Sequence, residues 1–237
     1  MFFIHGMGGS PADWSAVIPY CPGTPLRVGA GAGSPETAAR ELAKEILVRA
    51  EDSFALCGYS MGARLAILTA EELLTAGGRL DSLVLISSGL GCSSESERAS
   101  REQKDAAWER LAETSLDDFW RLWYQQALFK SLERLTSHRR LEWDSSRKHL
   151  NFSTLSTHLR ALSPARHPYL LPRLENLARK GLRMLYIAGE LDEKYMELAQ
   201  TVGKIPGISV KVIANAGHIL PLEAPEALAK EILSFIQ

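Results

Sequence analysis

The sequence predicts an α/β fold, a mostly parallel sheet covered by helices on both faces. Three observations carry this expectation. Short apolar runs alternate with amphipathic stretches of helical length along much of the 237 residues. A Gly-x-Ser-x-Gly pattern, Gly58 to Gly62, stands where one apolar run gives way to a helix. A histidine, His218, follows the last apolar run just before the closing helix, and the end of a late strand is where an open parallel sheet places its site.

The elements follow in order. Residues 2–4 form a first strand that ends at His5-Gly6, and residues 26–28 a weaker one. Runs at 54–57, 82–87, 182–188 and 209–213 are rich in Val, Ile, Leu and aromatics and are bounded by Gly or Ser. Helical patterns lie between them at 35–50, 61–76, 193–202 and 225–236. In the first of these, Ala39, Leu42, Ala43, Ile46 and Leu47 recur at helical spacing and Pro35 suits a first turn.

From 91 to 173 the rhythm breaks. This stretch has no convincing strand, but helix-like segments dense in Arg that carry Trp108, Phe119, Trp120, Trp123, Tyr124, Phe129, Trp143 and Phe152. It holds 14 Lys/Arg against 11 Asp/Glu, whereas the remainder holds 13 against 17, so it is a positively biased piece over an acidic body. The expected organisation is one core from 1–90 and 174–237, with a helical lid at 91–173 inserted after the strand at 82–87.

Composition narrows the function. A net charge of −1 gives no electrostatic case for nucleic acid or an anionic membrane surface. Cys21, Cys57 and Cys92 are odd in number and scattered, so they make neither a disulfide framework nor a metal cluster. No His/Asp/Glu set has metal-ligand spacing, and no Gly-x-x-x-x-Gly-Lys loop for a nucleotide is present. The first residues lack a signal peptide's basic and apolar regions, and no apolar run is long enough to span a bilayer. A cytoplasmic setting is the natural expectation.

Serine is a weak nucleophile and base until a neighbour takes its proton, and histidine titrates in the right range. Ser60 at the strand-to-helix elbow and His218 after the last strand are the expected pair. The orienting acid should follow the strand between them, where Glu190 and Asp192 compete. Asp192 is favoured, although it also fits as the N-cap of the next helix. The glycine-rich loop from His5 to Gly9 allows close backbone approach, so the N–H groups of Met7 and Met61 are the expected oxyanion hole. His5 is expected to shape that loop. His138, His149, His158 and His167 lie in the insertion, with solvated or structural roles as the default.

Three segments together are more specific: Gly58-Tyr59-Ser60-Met61-Gly62-Ala63-Arg64, Arg101-Glu102-Gln103-Lys104-Asp105 with Trp108, and Trp123-Tyr124-Gln125-Gln126-Ala127-Leu128-Phe129. They resemble the menaquinone-pathway synthases of the α/β-hydrolase superfamily, which form a 2-succinyl-6-hydroxy-2,4-cyclohexadiene-1-carboxylate by eliminating pyruvate. The resemblance runs from His5 to the C-terminus. It implies Ser60, Asp192 and His218 as a triad, Arg64, Arg101 and Arg147 as carboxylate binders, and Tyr59 and Trp123 as substrate-contacting aromatics. It also implies a small polycarboxylate substrate and no cofactor.

There are departures from the pattern. A familiar D-x-P-G-H-G segment is replaced by Gly29-Ala30-Gly31-Ala32-Gly33-Ser34, Ala127 stands where proline is expected, and the usual first hairpin is expected to be absent. Two other functions fit the same residues. One is an esterase or thioesterase acting through an acyl-Ser60 on a small acidic substrate. The other is a non-catalytic protein that keeps the fold as a ligand pocket. The arginines are what separates the first two.

Overall fold

The structure is a computed structural model that describes residues 1–29, 31–147 and 150–237. Ala30, Lys148 and His149 lie outside the described residues, and with them the expectation for His149 and part of that for segment 29–34. The strands are β1 (Phe2–Ile4), β2 (Thr24–Leu26), β3 (Phe54–Tyr59), β4 (Leu80–Ile86), β5 (Arg183–Gly189) and β6 (Ile208–Ile213). They form one sheet in the order β2-β1-β3-β4-β5-β6, and every pairing is parallel.

A parallel sheet covered on both faces needs apolar side chains on both, which is why its strands read as continuous apolar runs. Phe2 and Ile4 of β1, Phe54 and Leu56 of β3, Leu83 and Leu85 of β4, and Met184 and Tyr186 of β5 enter one core. The residues between them, Phe3, Cys57, Val84, Ile86, Leu185 and Ile187, enter the other. The first core is closed by α1 (Pro35–Arg49) and α2 (Met61–Thr75), the second in part by α10 (Pro225–Ile236) with Trp14. Helix α1 starts where Pro35 and the cap Ser34 predict, the Ser34 hydroxyl accepting from Thr37 N–H at 3.1 Å.

The weak second strand falls earlier than its apolar residues suggest, at Thr24–Leu26 in place of 26–28. Pro25 is tolerated because β2 is an edge strand. Val28 leaves the ladder because its N–H is donated to Nε2 of His5 at 3.1 Å.

Between β4 and β5 the described residues hold no strand. They form α3 (Glu95–Thr114), α4 (Leu116–Trp123), a 3₁₀ segment (Ala127–Arg134), α5 (Ser137–Arg147), α6 (Phe152–Arg160) and α7 (Leu171–Arg179). Ala112, Phe119, Leu155 and Leu159 make a small core of their own, with Trp108, Trp120 and Trp123 against it. Helix α7 differs: its Leu174 and Leu177 are buried in the same core as α2. Helices α8 (Glu193–Val202) and α9 (Leu220–Glu223) complete the chain with α10. Among the described residues, no helix is long and apolar enough to cross a membrane.

Leu65 on α2 is fully buried, whereas Val48 on α1 is 87% exposed. Leu65→Ala is therefore expected to lower unfolding free energy by about 2–5 kcal/mol in urea titration. Val48→Ala should change it by less than about 0.5 kcal/mol.

Candidate active site

The site gathers at the C-terminal ends of β3, β5 and β6. Ser60 occupies the turn from β3 into α2 with φ 54° and ψ −110°, a backbone state that L-residues resist. Both flanking glycines are required by contact. A Cβ on Gly58 would collide with the backbone of Gly62 and Ala63, and one on Gly62 with the carbonyls of Ile4 and His5. The Ser60 N–H is tied to the carbonyl of Ile86 at 2.8 Å, which fixes the turn to β4.

Ser60 Oγ lies 3.1 Å from His218 Nε2, and His218 Nδ1 lies 2.7 Å from Asp192 Oδ2. His218 and Asp192 are both buried. The loop carrying His218 is held from two sides. Glu223 accepts from the N–H groups of Gly217 and Ile219 at 2.7 and 2.8 Å, and the Ser87 hydroxyl donates to the His218 carbonyl at 3.1 Å. Asp192 stands at the start of α8, yet its side chain makes no cap there and is directed to His218. Glu190, its competitor in the sequence, accepts from Asn215 N–H at 2.8 Å and braces the exposed loop after β6. The structure thus puts Asp192, not Glu190, against the imidazole.

A cleft of about 150 Å³ opens in front of Ser60, and Met7, Tyr59, Met61, Arg64, Arg101 and Trp123 line it with His218. Met61 is the first residue of α2, so its N–H has no intrahelical acceptor. Met7 lies in the turn after β1, beside Gly8 at φ 63°. His5 shapes this loop as expected of it, through the Val28 N–H and its contact with the Gly6 carbonyl at 2.9 Å.

The arginines differ in their surroundings. Arg64, one turn into α2, is 6% exposed and donates to the carbonyl of Leu162 at 3.3 Å; among the described residues it has no ion pair. Burial lowers its pKa to about 10, with Arg101 adding to the shift and Tyr195 and Asp105 opposing it. Arg101 is paired to Asp105 at 2.8 Å and is about a third exposed. Arg147 does not line the cleft. Its Nη2 is 2.7 Å from Asp13 Oδ1, its Nη1 donates to the Gly8 carbonyl at 2.5 Å, and its guanidinium lies 3.7 Å over the ring of Trp143.

Several neighbours were not singled out in the sequence. Asp13 is buried, lines the cleft and accepts from Ser10 N–H. The Ser10-x-x-Asp13 spacing is a capping-box signal that could have placed it on a turn, though not its partner. Tyr195 packs its ring 4.6 Å from the imidazole of His218, and Lys104 joins the cleft wall from α3. His158 and His167 are buried and His138 is exposed. Among the described residues, no group of three or more His, Cys, Asp or Glu could hold a metal ion.

A family model described as the alpha/beta hydrolase family matches residues 1–231. The chain belongs to the alpha/beta hydrolase family. Within it, the 2-succinyl-6-hydroxy-2,4-cyclohexadiene-1-carboxylate synthase of Pectobacterium atrosepticum is 30% identical over 247 residues, covering 98% of this chain and 92% of that protein. The synthase of the same name from Yersinia pseudotuberculosis is 28% identical, covering 100% and 86%. By identity and coverage the chain groups with these synthases. Among solved structures, MenH from S. aureus superposes with a TM-score of 0.88 at 22% identity, covering 99% of this chain and 92% of that one. A thermophilic esterase from Thermogutta terrifontis, with malate bound, gives 0.74 at 21%, covering 99% and 88%. At these identities the structural likenesses speak for the alpha/beta hydrolase fold alone.

Burial lowers the pKa of His5 to about 4 and of His158 to about 3, from an ordinary 6.5. Both states of the protein are neutral at these histidines above 6.5. As pH falls, the unfolded chain takes protons there first, so stability is lost between about pH 6.5 and pH 3. Unfolding free energies from urea titrations at about pH 7.5 and about pH 4.5 should differ by on the order of 2 kcal/mol for each histidine. His158→Asn should remove its share. An unchanged pH slope in that variant would show that His158 takes its proton as readily folded as unfolded.

Proposed function

We propose that the protein is a carbon–oxygen lyase that eliminates pyruvate from 2-succinyl-5-enolpyruvyl-6-hydroxy-3-cyclohexene-1-carboxylate, giving 2-succinyl-6-hydroxy-2,4-cyclohexadiene-1-carboxylate. The observation that carries this reading over a plain esterase is Arg64. It is a buried guanidinium in the cleft, one turn past Ser60, and among the described residues it has no ion pair, Asp105 acting on it only at longer range. A buried cation kept without a partner is costly. A carboxylate of the substrate would complete it, bidentately where the fork is free.

In this reading His218, oriented by Asp192, takes the Ser60 proton, and the Ser60 oxygen removes the ring proton at C2, beside the succinyl carbonyl. The electron pair shifts to C2–C3, the C3–C4 double bond moves to C4–C5, and the bond from C5 to the enolpyruvyl oxygen breaks. The leaving enolate takes a proton and becomes pyruvate. Charge developing on the succinyl carbonyl oxygen falls to the N–H groups of Met7 and Met61. Arg64 and Arg101 hold carboxylates, Arg101 through its terminal guanidinium nitrogens while its Nε stays on Asp105, and Tyr59 and Trp123 form the wall against the ring. The reaction needs no cofactor.

Residues 91–173 serve as a lid that excludes water. The buried free thiols of Cys21, Cys57 and Cys92 fit a reducing, cytoplasmic setting.

The deciding measurement is pyruvate release and diene absorbance from freshly made substrate, beside a panel of p-nitrophenyl esters. Ser60→Ala is expected to lower turnover by on the order of 10³-fold or more with little change in substrate affinity. Ester cleavage without pyruvate release would replace the lyase with an esterase working through an acyl-Ser60. Arg64→Met should cost about 2–5 kcal/mol in kcat/KM. A loss of only a few tenths would remove Arg64 from the substrate site.

A further inference from the structure

Three helices of the insertion converge on Gly8, the residue after Met7. Gly8 N–H donates to Nδ1 of His158 on α6 at 3.1 Å, and the Gly8 carbonyl accepts from Nη1 of Arg147, the last residue of α5, at 2.5 Å. The indole of Trp120 on α4 packs so near that a Cβ on Gly8 would run into it. Arg147 is itself anchored to the body by Asp13, whose Oδ1 also accepts from Ser10 N–H at 3.3 Å. Both main-chain polar atoms of Gly8 are therefore held by side chains from the insertion.

We propose that Arg147 and His158 are positioning residues of the oxyanion hole, holding Gly8 from opposite sides so that the Met7 N–H stays where charge develops, and that Arg147 does not bind substrate. The proposal rests on the reading of Met7 as a donor. Three features support it. Arg147 already has a carboxylate, and a substrate carboxylate that displaced Asp13 would leave Asp13 buried and unpaired. Its guanidinium sits on the Trp143 ring and is absent from the cleft wall, where Arg64 and Arg101 are present. His158, which burial keeps neutral, offers an acceptor at Nδ1; a protonated ring would set donor against donor at Gly8.

The test uses the full chain with Arg147→Met, Arg147→Lys, His158→Leu and His158→Asn. It has three readouts: steady-state pyruvate release, the rate at which a fluorophosphonate modifies Ser60, and thermal melting. The phosphoryl oxygen of the probe needs the same donors as the developing oxyanion. Arg147→Met and His158→Leu are expected to lower kcat and the modification rate together, by roughly 10²-fold, with KM nearly unchanged. His158→Asn keeps an acceptor near Nδ1 and should restore most of both rates, whereas Arg147→Lys, which cannot fork to Asp13 and Gly8 at once, should restore little.

A KM raised about tenfold at unchanged kcat and modification rate in Arg147→Met would make Arg147 a substrate ligand and overturn the proposal. Equal losses in His158→Asn and His158→Leu would overturn the role of the acceptor. If His158→Leu does not melt cooperatively, the kcat-to-KM split of Arg147→Met decides. Wild-type protein that reacts with the fluorophosphonate but releases no pyruvate would defeat the lyase reading alone, and the modification rates would still judge the positioning role.

Discussion

Gly62 lies with its Cα hard against the carbonyls of Ile4 and His5, and Gly58 lies as close to the backbone of Gly62 and Ala63. Those two approaches let α2 begin directly on the ends of β1 and β3. Ser60, caught between them, is left in a backbone state that only a stiff surrounding can hold. The stiffness comes from strands that alternate between two packed cores and from the bond of Ser60 N–H to β4. A serine on such a turn has little freedom, so the 3.1 Å separation from His218 is a property of the fold. The His218 loop is matched in rigidity by Glu223 and Ser87.

Arg64 and Arg147 show how one residue type can do opposite work within one protein. Both are almost wholly buried. Arg147 is balanced by Asp13, and its remaining capacity goes to backbone and to an aromatic face. Arg64 donates to a backbone carbonyl and has no ion pair among the described residues, and burial lowers its pKa to about 10. The first cation has its counter-charge inside the protein. The second has none within ion-pair distance among the described residues, and a buried charge without a partner is costly.

The sheet and the elbow were legible because their signals are local. Apolar runs, glycine spacing and strand-to-helix order all lie within a few residues. The sequence favours Asp192 over Glu190, but the two stand two residues apart at the end of one strand and local spacing alone does not separate them. What separates them is reach: Asp192 meets His218, while Glu190 meets Asn215. Arg147 was harder still. Its partners, Gly8 and Asp13, lie more than a hundred residues earlier, and no periodicity encodes that contact. The second strand was misplaced for a similar reason, since His5 draws the Val28 N–H out of the ladder.

The net charge of −1 and the positive bias of the insertion say little about the cleft itself. Local burial decides there. Trp108, Trp123, Tyr124, Phe129 and Trp143 line the cleft with Arg64 and Ser60, and a charge set among aromatic rings is screened less than one in open water. A guanidinium buried there without an ion pair is unfavourable, and an anion within reach of it would relieve that cost. The unfavourable term is set by folding, through the packing that buries Arg64. On the proposed reading, such a site need not reorganise as charge develops, because the N–H groups of Met7 and Met61 and the Arg64 guanidinium are held in place beforehand.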